Sequence, residues 1–135
     1  MGLDNGIYIV SNKQKITRDM LPDGIVYPFD KDYSDGKVEI VYWRKNWGLR
    51  NAVLRRFGTM PYDYLTDIDT PEDVLDLIEE IASWLDEEKW ESEGNSIWDY
   101  DEIRPILVQS IVNLAIARAI MVGHPDVYLQ FYDSY

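Results

Sequence analysis

Trp43, Arg44, Lys45, Trp47, Arg50 and Asn51 lie within one short stretch, and they are the residues of this chain best equipped to hold a ligand. Guanidinium forks grip carboxylate or phosphate oxygens in pairs, and indole rings stack on planar groups, so the set suits an anionic, planar ligand such as a nucleotide. Arg50 also has a plainer reading. At 100° per residue, Leu49, Val53, Phe57, Leu54 and Trp47 form one broad helix face with Arg50 inside it, and a buried cation without a partner is strongly destabilising. An internal salt bridge meets that need, with Asp4 as the expected partner, because the N-terminal segment can lie beside the strand that leads into this helix. The two readings predict different fates for Arg50→Ala: loss of folding in one, a folded protein that has lost its ligand in the other.

Charge is sorted along the chain. Between Glu39 and Asp63 there is no carboxylate, and the five cations Arg44, Lys45, Arg50, Arg55 and Arg56 fall there. From Asp63 to Glu102 sixteen acidic residues stand against one cation, Lys89. Such sorting can pattern the field around a folded surface. The acidic stretch reads either as a solvated helix face that keeps the protein soluble, or as rows of carboxylates with a spacing comparable to phosphates, able to occupy a basic nucleic-acid channel on another protein. The formal net charge of -12 argues against direct nucleic-acid binding, whose affinity comes from cations displacing counterions.

Few other residues point to chemistry. The chain has no cysteine, which excludes disulfides, thiolate metal sites and a thiol nucleophile. The single histidine, His124, sits in a Gly-His-Pro turn where a positive imidazole suits a helix end. No Gly-x-Ser-x-Gly turn, Walker loop or Gly-x-Gly-x-x-Gly fingerprint occurs. Asp30, Asp32, Asp35 and Glu39 resemble a calcium loop, but the glycine falls one place late and the twelfth-position Glu is missing, so a turn with solvated acids is expected. No catalytic residue, metal site or cofactor is assigned.

The elements that must position these residues can be read from pattern. A 46% hydrophobic share rich in aromatics, at 135 residues, predicts one packed domain, 1–135. Strands are expected at Gly6–Val10, at Ile25–Phe29 and Lys37–Trp43 as a hairpin around Asp35-Gly36, and at Asp126–Asp133. Lys13–Gly24 reads as a loop or a single helical turn, and Thr59–Asp69 as irregular. Helices are expected over about 45–57, over about 71–88 behind a Thr70 cap and Pro71, and from near Asp99 or Asp101 to Val122 with Gly123 as its C-terminal cap. The last is apolar around almost its whole circumference, the mark of a central core helix; Gln109, Ser110, Asn113 and Arg118 make it a poor membrane span. The fold class is therefore α+β, a small mainly antiparallel sheet of about four strands with three helices on one face. The N-terminus has neither a signal-peptide nor a myristoylation pattern, and an intracellular, cytoplasmic protein is expected.

Met1-Gly2-Leu3-Asp4, together with Tyr42-Trp43-Arg44-Lys45-Asn46 leading into a helix, resembles a set of small uncharacterised proteins of bacteriophages and related mobile elements. The likeness covers about a fifth of the chain. Many members follow the opening with Met and an aromatic where this chain has Asn5-Gly6, and the His-Trp pair of their helix is absent. The resemblance implies a phage setting more than an activity, and it singles out Asp4, Tyr42, Trp43, Arg44, Lys45 and Asn46.

Together these readings lead to an expected phage-type, non-enzymatic accessory protein. It would bind and inhibit a host nucleic-acid-handling defence protein with a basic surface, in the manner of an anti-CRISPR, through Glu72, Asp76, Glu79, Glu80, Asp86 and Glu87. Trp90, Trp98, Tyr62 and Tyr64 are the aromatic anchors to look for. The alternative is a protein that sequesters an anionic nucleotide at Trp43, Arg44, Lys45, Trp47, Arg50 and Asn51; a weaker third is a hydrolase or transferase using the same cations with a carboxylate base. Oligomeric state cannot be read from the sequence.

Overall fold

A computed structural model of the chain describes residues 4–44, 46–57, 65–92 and 99–134, with the Trp47 side chain excepted. Four strands form one antiparallel sheet: β1 (Asp4–Ser11), β2 (Val38–Arg44), β3 (Leu65–Ile68) and β4 (Val127–Ser134), in the order β2-β1-β4-β3. Helices α1 (Trp47–Phe57), α2 (Pro71–Ser83), α3 (Glu87–Trp90) and α4 (Tyr100–Gly123) complete an α+β domain.

Strand alternation divides the sheet's residues between two faces. Ile7, Ile9, Val38, Ile40, Leu129, Phe131 and Ile68 are buried on one, against Val74, Leu77 and Ile81 of α2 and Leu107, Leu114, Ala117 and Met121 of α4. Tyr8, Glu39, Gln130, Tyr132 and Asp67 point the other way and are only partly covered or exposed. Helices α2 and α4 run antiparallel. Arg118 Nε donates to the Pro71 carbonyl at 3.0 Å at one end, and the Tyr100 hydroxyl donates to the Leu85 carbonyl at the other.

Local chemistry sets the helix starts. Thr70 Oγ1 accepts from the Asp73 amide at 3.1 Å, Asp86 Oδ1 from Lys89 at 3.1 Å, Asp99 Oδ1 from Asp101 at 3.0 Å and Asn46 Oδ1 from Leu49 at 2.9 Å.

Four expectations need correction. Ile25–Phe29 is not a strand, because the Val26 amide donates to Asn113 Oδ1 at 3.1 Å and its carbonyl accepts from Asn113 Nδ2 and Gln109 Nε2; side chains of α4 take the place of a strand partner. Leu65–Ile68, read as irregular, is the edge strand β3. The acidic helix ends at Ser83, and Asp86 starts a separate short helix. Finally, α4 is not surrounded by core: Val108, Val112, Ala115, Ala119 and Val122 are exposed. Among the described residues, the single helical layer lays nothing over that side. Among the described residues α4 is the one helix long and apolar enough to cross a membrane by length and composition, yet its other face is built into the core.

Candidate functional site

The Trp–Arg stretch turns out to tie the fold together. Trp43 is 2% exposed and its ring faces the core, 5.8 Å from Trp90, so it cannot stack on a ligand. Arg50 Nε donates to Asp133 Oδ2 at 2.7 Å. Asp133, on β4, takes the role expected of Asp4, which instead accepts from the Tyr42 hydroxyl at 3.0 Å. β4 returns beside β1, which brings a carboxylate from the far end of the chain to this helix; no local spacing signals it. Asn5 Nδ2 donates to the Asn46 carbonyl at 2.9 Å, and Asn46 caps α1. Asp4, Tyr42, Trp43 and Asn46 thus join the start of β1, the end of β2 and the start of α1. Arg44 is exposed at the end of β2, and Asn51 is exposed on α1. Lys45 and the side chain of Trp47 lie outside the described residues, as do Tyr62, Tyr64 and Trp98. Trp90, a candidate anchor had it been exposed, is fully buried between Trp43 and Trp84.

The acidic residues divide into two groups. On α2, Glu80 is half-buried and accepts from Arg55 at 2.7 Å, and Arg56 stands 3.6 Å from both Asp76 and Glu80. The cations of α1 therefore lie against α2, and Asp76 and Glu80 are not the bare carboxylates that their spacing suggests. Glu72 and Glu79 are exposed on the same helix. The second group lies beyond the C-terminal end of α2. The bond from Tyr100 to Leu85 brings the start of α4 against the end of α2, and with it Asp86, Glu87, Glu88, Glu91, Asp99, Asp101 and Glu102, all exposed. Lys89 and Arg104 are the described cations within these two segments, so the described charge there is seven negative against two positive. Carboxylates in the first turns of α3 and α4 are held where the helix dipole favours them. This end of the molecule is an anionic knob carried by the end of α2 and the start of α4.

A third cluster lies on the open face of the sheet and was not legible in the sequence. Tyr132 donates its hydroxyl to Glu39 Oε2, and the Tyr8 and Tyr132 rings stand 5.1 Å apart. Lys37 Nζ lies 4.3 Å from the centre of the Tyr8 ring and donates to Gln130 at 3.0 Å. Burial pushes the Glu39 carboxyl up to about 7, and the nearby Asp32 adds to the rise, while the Tyr132 hydrogen bond and Lys37 oppose it. Burial first, then Glu39, holds the Tyr132 phenol above its ordinary range, so it remains a donor. The cluster can hold a proton near neutrality; its polar atoms are mostly turned toward one another.

Of the supposed calcium-loop acids, Asp32 pairs with Arg18 at 3.1 Å and Asp35 with Lys15 at 2.5 Å. No group of three or more His, Asp or Glu is placed to hold a metal ion among the described residues. His124 is exposed and follows α4, its carbonyl accepting from the Val127 amide at 3.0 Å. A groove of about 340 Å³ runs between Val26–Pro28, the outer edge of β2 and α4, and its polar side chains Gln109, Ser110 and Asn113 are bonded to backbone carbonyls. In comparisons with models of protein families, with curated proteins and with solved structures, the chain matches none.

Proposed function

We propose that this chain is a phage-type acidic binding protein that inhibits a host nucleic-acid-handling protein by lodging its anionic knob in a basic channel, in the manner of an anti-CRISPR. One observation carries the reading: the exposed carboxylates of α3 and of the first turn of α4 converge at one end of the fold. Charge at that density attracts a cationic surface at long range, speeds encounter and weakens with salt. A stable complex would bury roughly 1,200–2,000 Å² in total, more than the knob alone offers, so Glu72 and Glu79 on the adjoining helix would extend the contact. The partner is a protein, the compartment is the host cytoplasm, and no cofactor takes part. The burial of Trp43 and the engagement of Arg50 by Asp133 weigh against a nucleotide pocket.

The test is affinity capture from host extract at low salt. Wild-type chain is compared with Glu87→Gln/Glu88→Gln/Asp101→Asn/Glu102→Gln, which keeps size and the Asp86 and Asp99 caps. A nucleic-acid-binding protein retained by the wild type and lost by the variant supports the proposal. Equal retention by both, or retention of no such protein, counts against it.

A further inference from the structure

We propose that the chain forms an antiparallel homodimer through the exposed seam of α4. Val108, Val112, Ala115, Ala119 and Val122 recur at alternating steps of four and three residues, the 3.5-residue period of a helix-packing seam, and all five are exposed. The three valines are 42%, 44% and 65% exposed, on a helix that packs into the core through Ile103, Leu107, Leu114, Ala117 and Met121.

The seam is complementary to itself in one orientation. When a second α4 runs antiparallel, Val108 stands opposite Ala119 of the second copy and Val112 opposite Ala115, so these two valines each meet an alanine, while Val122 falls opposite Pro105. In parallel register valine meets valine and alanine meets alanine, which leaves the centre underpacked. Charge selects the same orientation. Parallel packing would bring both anionic knobs together at one end, whereas antiparallel packing separates them by about the length of α4, roughly 36 Å for its 24 residues. It also sets the exposed Arg104 near the C-terminal end of the other α4, where a cation suits the helix dipole.

Between Glu102 and Asp126 the chain has no carboxylate, so this is a surface on which two copies of net charge -12 can meet with little local repulsion. A membrane is the poorer occupant: helices that lie on bilayers carry several Lys and Arg beside the apolar stripe, whereas α4 carries two arginines, Arg104 and Arg118, in a chain of net charge -12. The seam itself is about 21 Å long, a single row of five side chains, and buries less than a standard interface. The dimer is accordingly weak and forms in the micromolar range. Because the two copies carry like charge, added salt strengthens it, the opposite of what salt does to binding at the anionic knob.

Sedimentation equilibrium from about 1 to about 200 µM at low and high salt reads the association. The expected result is a dimer favoured by salt, with at least about a tenfold loss of affinity in Ala115→Glu, a variant whose helical circular dichroism should match the wild type. Orientation is read separately, because the natural chain has no cysteine. Oxidation of a mixture of Val108→Cys and Ala119→Cys chains should give the mixed disulfide, and Val108→Cys alone should give little. A monomer throughout that range overturns the proposal, as does a dimer indifferent to Ala115→Glu or one in which Val108→Cys crosslinks to itself. A monomer that instead binds phosphatidylcholine–phosphatidylglycerol vesicles in an Ala115→Glu-sensitive way overturns it in favour of a membrane surface.

Discussion

Replacing Glu39 with Gln should raise stability above neutral pH and leave it unchanged or lower in mild acid. The Glu39 carboxyl lies on the open sheet face beside Tyr8 and Tyr132, and burial pushes it from an ordinary 4.5 to about 7. The folded chain therefore keeps this proton over a pH range in which the unfolded chain has lost it. Stability from the group is fully present below about 4.5 and is lost as pH rises through about 7. At about 1.36 kcal/mol per pH unit, the span from 4.5 to about 7 sets a ceiling of about 3.4 kcal/mol. The carboxyl is only partly buried, and solvent screening reduces the working figure to about 1–2 kcal/mol. Gln retains an oxygen that can accept from Tyr132 and carries no charge, so the variant lacks this pH term. Urea unfolding followed by tryptophan fluorescence, on both proteins near about pH 5 and about pH 8.5, gives the difference between them at each pH. The variant should gain about 1–2 kcal/mol relative to wild type between the two conditions. A difference that is the same at both pH values refutes the reasoning.

Other perturbations separate structural roles from functional ones. Arg50→Ala leaves Asp133, 8% exposed, without this guanidinium and should cost about 2–3 kcal/mol in urea unfolding, part of it recovered in the Arg50→Ala/Asp133→Ala double variant. A fully stable Arg50→Ala protein would contradict the structural role. Gly6→Ala should destabilise by at least about 2 kcal/mol, because the added Cβ falls on the Val41 carbonyl and on Glu39 Oε2, with Tyr132 Cε1 at 2.8 Å. Shortening Glu39 to Ala should not rescue it, since the backbone carbonyl remains. Asn113→Leu removes hydrogen bonds to both backbone groups of Val26 and to the Ile40 carbonyl, worth about 3 kcal/mol at about 1 each. Hydrogen exchange should find the Val26 amide deprotected in that variant, and unchanged protection would disprove the tether.

What the sequence disclosed was what neighbouring residues decide among themselves. Thr70-Pro71 and the acid-rich starts of α2 and α4 are local signals, and those helices begin where they predict. The final strand followed from alternation of Val127, Leu129 and Phe131. Failures came where a distant partner settled the outcome. Ile25–Phe29 has strand-like residues, but α4 side chains satisfy the backbone of Val26. β3 is four residues long, too short for alternation to register, and exists because β4 lies beside it. The separation of Asp76 and Glu80 from the knob depends on Arg55 and Arg56 reaching across from α1, and the Glu39–Tyr132 pair on strands far apart in sequence. An apolar helix surface was visible; which side of α4 the fold leaves bare was not.

The central claim is that the anionic knob competes with nucleic acid for a cationic surface. Its most direct measurement is the affinity between this chain and the captured host protein, taken across a salt series with and without that protein's own nucleic acid. The account predicts that affinity falls as salt rises, that nucleic acid displaces the chain competitively, and that the Glu87, Glu88, Asp101 and Glu102 replacements reduce both effects together. Simultaneous binding of chain and nucleic acid, with an affinity indifferent to salt, would contradict it.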